Sequence, residues 1–292
     1  PSDKAFKLEE MSKPAYDLPL PPMIPEDEAR RVTLDGVAAL EALEAAGAVT
    51  LCRDATALET AIQSDRMAAI LHIEGAEGID RDFILLNELH ARGLRSLGPV
   101  WSRPTVWGHG VPFRFPSSPD TGDGLTEDGK RLVAECNRLK IMVDLSHLNE
   151  KGCDDVAAIS DAPLVATHSN AWAVTPHSRN LTDRQLAMIA ESDGMVGINF
   201  ASAFLRSDGK MDSDFSLDVM MRHLDHLIGA LGEDRVGFGS DFDGALVPDG
   251  IRDCAGLPAL RDAMSRHGVD AALMEKLAWR NWVGVLRRTW GA

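Results

Sequence analysis

The chain has 292 residues, of which 45% are hydrophobic, enough to bury the core of one α/β barrel of roughly 250 residues. Its 45 acidic and 30 basic residues give a net charge of −15, which excludes nucleic acid and anionic membrane surfaces as favoured partners, because phosphate binding needs clustered Lys and Arg. No run of about 18 apolar residues and no signal-peptide pattern occur, so the sequence predicts no membrane span and a cytoplasmic location.

Helical and strand patterns alternate along most of the chain. Residues 1–31 are charged and rich in proline, which predicts a surface loop. The elements predicted after it are helices 32–48 and 54–64, strand 67–74, helix 81–92, strand 94–101, helix 126–139, strand 143–147, helix 149–159, strand 164–168, helix 181–192, strand 195–200, helix 218–231 and strand 235–241. Residues 257–292 predict C-terminal helices, and the pattern as a whole indicates a single domain over 1–292.

The fold class that this alternation predicts is an α/β fold, a TIM (β/α)8 barrel. The patterns give six strands, whereas such a barrel has eight. An open array of six would leave two edges of buried parallel strand unpaired, and such edges favour aggregation. The sequence therefore predicts that the first one or two strands of the barrel lie outside the 292 residues.

Two histidines end consecutive apolar strands, His147 after residues 143–146 and His168 after 164–167. The carboxyl ends of parallel strands meet at one edge of a sheet, so we expect the two imidazoles to lie at the same height. An isolated buried histidine is more often structural, but a pair in equivalent positions favours metal ligands. Glu74 ends another apolar strand and suits a carboxylate that bridges two ions. The sequence predicts a metal-assisted hydrolase.

Three further polar groups are placed where a substrate would meet such a site. Asp241 ends the last apolar strand and could take a proton from the attacking water. Arg179 lies in a loop just after the second histidine, where a guanidinium could bind a carboxylate at two points; a solvated surface arginine is the alternative. His109 lies in a long Gly- and Pro-rich loop, residues 102–123, and is a candidate contact to substrate. By contrast, the spacing of His223 and His226 predicts a solvated helix face.

These residues belong to short motifs that extend from about Met67 to Gly244. The motifs are Ile-Glu-Gly at 73–75, Gly-Leu-Thr at 124–126 with Asn-Arg-Leu at 137–139, Asp-Leu-Ser-His at 144–147, Thr-His-Ser-Asn at 167–170, Arg-Asn-Leu-Thr-Asp at 179–183 and Gly-Ser-Asp-Phe-Asp-Gly at 239–244. In order and spacing they resemble the membrane dipeptidase (renal dipeptidase) family of zinc peptidases, within the amidohydrolase superfamily. The similarity continues weakly to the end of the chain.

The resemblance implies a (β/α)8 barrel with a two-zinc site that hydrolyses dipeptides, often with a D-residue at the C-terminal side. Glu74 would be the bridging carboxylate, and His147 and His168 would be ligands of the second zinc. Arg179 would bind the C-terminal carboxylate of the dipeptide, and Asp241 would be the acid/base partner of the attacking hydroxide. Homodimers are common in the resembled family.

The sequence departs from the family pattern at two places. The family has an H-x-D ligand pair for the first zinc on its first strand, and no H-x-D triplet precedes Glu74 here. The family also has a substrate-contacting histidine at the end of the strand that is predicted over 94–101, where this chain has Trp101. His109 could take over that contact from the loop.

Three functional hypotheses remain open. The first is a zinc-dependent dipeptidase. The second is another hydrolase of the amidohydrolase type, acting on an N-acyl amino acid or a lactone, and a lactone would not need Arg179. The third is an inactive homologue that lacks metal and acts as a binding protein. Metal analysis separates the third from the other two.

Overall fold

The computed structural model describes residues 8–64 and 66–291. The strands, β1–β10 in chain order, are Tyr16–Leu18, Thr50–Leu51, Ala68–Ala69, Leu71–Glu74, Leu94–Gly98, Phe113–Phe115, Met142–Val143, Val165–Ala166, Met195–Asn199 and Val236–Gly239. The α-helices, α1–α11, are Glu26–Ala45, Ala55–Gln63, Ile84–Arg92, Glu127–Leu139, Glu150–Ile159, Asp183–Glu191, Ser202–Leu205, Asp218–Leu231, Leu257–His267, Ala271–Glu275 and Asn281–Trp290. Shorter helical turns are Leu8–Ser12, Glu233–Arg235, Cys254–Gly256 and the π-helical Lys276–Arg280.

The chain divides into two compact units. Unit 1 consists of Pro1–Pro21, Val111–Thr121 and Leu164–Trp282, and unit 2 of Pro22–Gly110, Gly122–Pro163 and Val283–Ala292. Each unit contains a three-stranded parallel sheet with helices that follow its strands. Among the helices of the described ranges, none is both long and apolar enough to cross a membrane.

The parallel sheet of unit 2 has the strand order β4-β5-β7. Glu74 of β4 is in register with Gly98 of β5, and Leu97 of β5 with Val143 of β7. Helix α3 contacts β5 and helix α4 contacts β7, so one face of the sheet is covered. The carboxyl ends of the three strands therefore lie at one edge, where polar side chains can collect.

Helix α1 and the strand that follows it differ from the sequence prediction. The helix begins at Glu26 rather than at residue 32. The three acidic residues after Pro25 stabilise its first turn, because their negative charges interact favourably with the positive end of the helix dipole. A short strand that the patterns did not predict, Thr50–Leu51, pairs in parallel with Ala68–Ala69. Among the described residues, the structure therefore adds one strand with parallel pairing to the six that were predicted, and it divides the predicted strand 67–74 into Ala68–Ala69 and Leu71–Glu74.

The parallel sheet of unit 1 has β9 at its centre, between β8 and β10. All five residues of β9 are buried, as a central parallel strand requires. Two glycines allow the strands to approach the backbone before His168, because a Cβ at Gly197 or Gly239 would overlap the carbonyl oxygen of Thr167. Close packing thus fixes the end of β8.

The predicted surface loop 1–31 contains a strand in the part that the structure describes, and residues 1–7 of that prediction lie outside the described residues. Tyr16–Leu18 forms β1, which pairs antiparallel with Phe113–Phe115 inside the long loop 102–123. Tyr16 and Leu18 are buried, and the Tyr16 hydroxyl donates to the Gly209 carbonyl at 2.6 Å. The pattern was too short to predict because only three residues alternate between the prolines.

Candidate metal and substrate site

Glu74 and His147 lie together at the carboxyl edge of the unit 2 sheet. Glu74 is the last residue of β4, and His147 follows β7 through a short turn. The two side chains meet with Glu74 Oε1 at 3.1 Å from His147 Nε2. A carboxylate oxygen and an imidazole nitrogen that converge in this way are a donor set that zinc and similar divalent ions accept.

The turn after β7 positions His147. The Asp144 carboxylate accepts from the Ser146 backbone N–H at 2.9 Å, and the Leu148 N–H donates to the Leu145 carbonyl at 3.0 Å. Asn149 then caps α5 by accepting from the backbone N–H three residues on. Within this turn His147 adopts a left-handed backbone conformation, with φ of 71°, and its side chain is 5% exposed. The turn and the burial of the side chain therefore fix the position of the imidazole.

In unit 1, four predicted or newly found polar groups gather at the carboxyl end of the β8–β9–β10 sheet. The His168 carbonyl accepts from Arg179 Nη2 at 3.2 Å and from Asn199 Nδ2 at 3.3 Å. The same Asn199 amide donates to Asp241 Oδ2 at 3.2 Å. His168, Arg179 and Asp241, which are well separated in sequence, are therefore linked through one backbone carbonyl and one amide.

Arg179 is buried, with 3% of its surface exposed, so the alternative of a solvated surface arginine is wrong. Its backbone N–H donates to His177 Nδ1 at 3.0 Å, and its guanidinium lies over the Phe204 ring at 5.4 Å. A buried guanidinium pairs strongly with an anion because the local dielectric is low. The position suits recognition of a carboxylate.

Asp241 begins a tight turn at the end of β10. Its φ is 55°, and its carbonyl accepts from the backbone N–H groups of Gly244 and Ala245, both at 3.1 Å. This turn directs the carboxylate toward the Asn199 amide. A carboxylate held in this way can accept and return a proton without reorienting.

Asn199 was missed by the sequence reasoning. It is fully buried at the end of β9, and besides its two amide donors its Oδ1 accepts from the Ala201 N–H at 2.6 Å. The signal was present, since Asn199 is a polar residue at the end of an apolar strand, as are Glu74 and Asp241. The predicted strand was extended to Phe200, which hid it.

His109 and Trp101 both lie in unit 2. His109 Nδ1 is 3.3 Å from the Gly124 carbonyl, and its own carbonyl accepts from the Asn149 N–H at 3.5 Å. The Trp101 ring lies 5.8 Å from the His147 ring. At position 101, where the resemblance led us to expect a histidine, this chain has an indole beside a predicted metal ligand.

His223 is not on a solvated face, so that prediction is wrong for it. The side chain is fully buried in α8, where Nδ1 accepts from the Ala171 N–H at 3.2 Å and Nε2 donates to the Leu205 carbonyl at 2.9 Å. His226, three residues later, is partly exposed and pairs with the exposed Asp183 at 2.7 Å. His223 therefore joins α8 to the segment that leads to Arg179.

Burial of His223 predicts a loss of stability in acid. Burial lowers the pKa of His223 from 6.5 to about 4. Between these two values the imidazole is protonated in the unfolded chain and neutral in the folded chain. Its contribution is full above pH 6.5 and is lost as the pH falls toward 4, by about 3 kcal/mol in the free energy of unfolding. Urea unfolding at pH 7 and pH 4 measures this. We expect the pH dependence to shrink by that amount in His223→Gln but not in His226→Gln; equal slopes in both variants would contradict the prediction.

The chain is similar to known proteins over most of its length. A sequence model described as membrane dipeptidase, peptidase family M19, matches residues 10–290. The chain is 48% identical over 245 residues to an uncharacterized protein in the pqqA 5' region of Klebsiella pneumoniae. The aligned residues cover 84% of this chain and 90% of that protein.

Two solved structures are similar over nearly the whole chain. A structure of the dipeptidase AC, a metallopeptidase of family M19, is 61% identical with a TM-score of 0.96, and covers 98% of this chain and 82% of its own. A metallopeptidase from Rhodobacter sphaeroides, liganded with a phosphinate mimic of the dipeptide L-Ala-D-Ala, is 61% identical with a TM-score of 0.95, and covers 97% and 81%.

Proposed function

The chain belongs to the membrane dipeptidase family, peptidase family M19, and is a metal-dependent dipeptidase; from this premise we propose that its metal is zinc, bound as a pair of ions, and that it cleaves L-Xaa-D-Xaa dipeptides. The proposed ligands in this chain are Glu74, as the bridging carboxylate, with His147 and His168. The observation that carries the proposal is the approach of Glu74 Oε1 to His147 Nε2 at 3.1 Å. No H-x-D triplet precedes Glu74, so the proposal concerns only ligands that this chain carries.

Each proposed group has a separate task. Zinc, when bound, supplies a water that is nucleophilic at neutral pH and polarises the peptide carbonyl. The Arg179 guanidinium pairs with the C-terminal carboxylate of the dipeptide at two points. The Asp241 carboxylate, oriented by the Asn199 amide, takes the proton of the attacking water and passes it to the leaving amine. His109 is the proposed polar contact to substrate from the loop.

Burial of Arg179 favours a substrate with a free carboxylate over a lactone, because a buried guanidinium attracts an anion strongly at low dielectric and a neutral ester offers it no charge. An N-acyl amino acid has that carboxylate but lacks the free amino group of a dipeptide. We propose the dipeptide because the phosphinate bound to the 61% identical metallopeptidase mimics L-Ala-D-Ala. A homodimer, which the family resemblance implies, and a cytoplasmic location, which the sequence predicts, complete the proposal.

Metal removal tests the function. We expect dialysis against a chelator to abolish hydrolysis of L-Ala-D-Ala, and added zinc to restore it, because the nucleophilic water depends on the metal. L-Ala-L-Ala, N-acetyl-D-Ala and a simple lactone are assayed in parallel and should react more slowly. Purified protein without metal and without hydrolysis after zinc addition would support the inactive binding protein instead.

A further inference from the structure

The two proposed metal histidines share an arrangement that the proposed function does not require. In unit 2, Nδ1 of His147 is 2.7 Å from the Ser102 hydroxyl oxygen. In unit 1, Nδ1 of His168 is also 2.7 Å from a hydroxyl oxygen, that of Thr167. A partner on one ring nitrogen fixes the tautomer and the direction of the other. Both rings therefore leave Nε2 as the nitrogen that can bind a metal.

Ser102 is held in place by its surroundings. It is fully buried, and its φ of 51° lies in the left-handed region that non-glycine residues seldom adopt. Gly110 makes this possible, because a Cβ at Gly110 would overlap the Ser102 backbone and lie 2.7 Å from the His147 carbonyl oxygen. Ser102 thus has an unfavourable backbone conformation, and in that conformation its hydroxyl lies beside His147.

The residues on either side of Ser102 support the same ring. Trp101 lies against the His147 ring, with centroids 5.8 Å apart and planes inclined at 37°. The Arg103 guanidinium covers the Trp101 ring at 5.1 Å and lies 3.7 Å from Glu77. The turn 101–103 therefore meets His147 both at Nδ1, through Ser102, and at the ring, through the tilted indole of Trp101.

From this geometry, and on the proposed role of His147 as a zinc ligand, we propose that Ser102 is the positioning residue of that ligand. Its oxygen accepts the Nδ1 proton of His147, so that the lone pair of Nε2 points toward Glu74 and the metal. Ser102 touches neither metal nor substrate, and it acts through the orientation of the imidazole. Removing the hydroxyl leaves the ring free to rotate and lowers its affinity for the ion.

Two variants of Ser102 separate the hydroxyl from the backbone. Ser102→Gly removes the hydroxyl and suits the positive φ, whereas Ser102→Ala removes the hydroxyl and keeps the backbone unfavourable. A matched control is Ser96→Ala, because the buried Ser96 hydroxyl lies 2.8 Å from Nδ1 of His72, which is not a proposed ligand. The readout is the zinc dissociation constant, measured by chelator competition on protein stripped of metal, with the visible spectrum of bound cobalt as a second measure.

We expect both Ser102 variants to raise the zinc dissociation constant about 10- to 100-fold and to change the cobalt spectrum, and Ser96→Ala to do neither. Unchanged affinity in a folded Ser102→Gly or Ser102→Ala protein overturns the proposal, and so does an equal loss in Ser96→Ala. His147→Ala is measured alongside. If it binds zinc as tightly as the parent, the ligand assignment of the proposed function is wrong, and the role of Ser102 falls with it.

Discussion

Replacing Arg179 with alanine is expected to raise the KM for L-Ala-D-Ala about 100-fold while the bound metal stays at the level of the parent. The guanidinium is buried against Phe204 and the His168 carbonyl, and the proposed partner is the substrate carboxylate. Its loss removes a charge-assisted, two-point contact from both the bound substrate and the transition state. Uniform loss of binding raises KM and leaves kcat largely unchanged. Steady-state kinetics with metal analysis of the same sample measures both quantities.

The chain offers a matched control for Arg179. Arg206, in the same unit, also stacks on a phenylalanine, Phe215 at 5.5 Å, and its guanidinium pairs with the partly exposed Asp208 carboxylate at 2.8 Å. We expect Arg206→Ala to leave KM within about twofold of the parent, because a partly exposed ion pair is worth little. Arg179→Lys keeps the charge but loses the two-point geometry, and should fall between parent and alanine. Kinetics in Arg179→Ala equal to those of Arg206→Ala would remove Arg179 from the substrate site.

The positions of several site residues followed from the sequence because one physical rule governs them. In a parallel sheet the strand ends share an edge, so a polar residue that ends an apolar run lies beside others of its kind. This rule placed Glu74 next to His147, where the structure has them 3.1 Å apart. The predicted family and the predicted α/β fold are confirmed by the matches over residues 10–290 and over 98% of the chain.

Residues whose roles depend on distant partners could not be predicted in the same way. Ser102 reaches His147 only because the chain turns through a left-handed conformation beside a glycine that follows eight residues later. His223 looked solvated from its helical spacing, and it is buried because segments around residues 171 and 205 cover it. The strand Tyr16–Leu18 forms only through pairing with residues 113–115, a contact that a short local pattern does not encode.

The strands before the two histidines are shorter than the sequence predicted, because the backbone turns early. The structure gives two-residue strands before His147 and His168, whereas the apolar runs predicted five residues each. After Val143 the chain enters the Asp144 turn, so the apolar Leu145 is buried by the turn and not by a strand. A run of apolar residues indicates that the segment is buried, but burial alone does not distinguish a strand from a well-packed turn.

Replacing Glu74 with glutamine is expected to remove the bound metal and to lower kcat for L-Ala-D-Ala on the order of 1,000-fold. The change preserves size but removes the negative charge, and a neutral amide is a poor ligand for zinc and cannot balance two shared ions. The signature is opposite to that of Arg179→Ala, in which KM rises and metal is retained. Metal analysis after gel filtration, followed by kinetics with and without added zinc, separates the two.

The control for Glu74 is Glu135→Gln, the same substitution on helix α4 of the same unit, where the carboxylate pairs with Arg138 at 2.6 Å. We expect this variant to keep the metal content and kinetics of the parent, because Glu135 pairs only with a half-exposed arginine three residues later on its own helix, and such a pair is worth little. Excess zinc should partly restore hydrolysis in Glu74→Gln if the loss lies in metal affinity. Full metal content with normal kcat in Glu74→Gln would show that the carboxylate is not a ligand, and the proposed site would then need another bridging group.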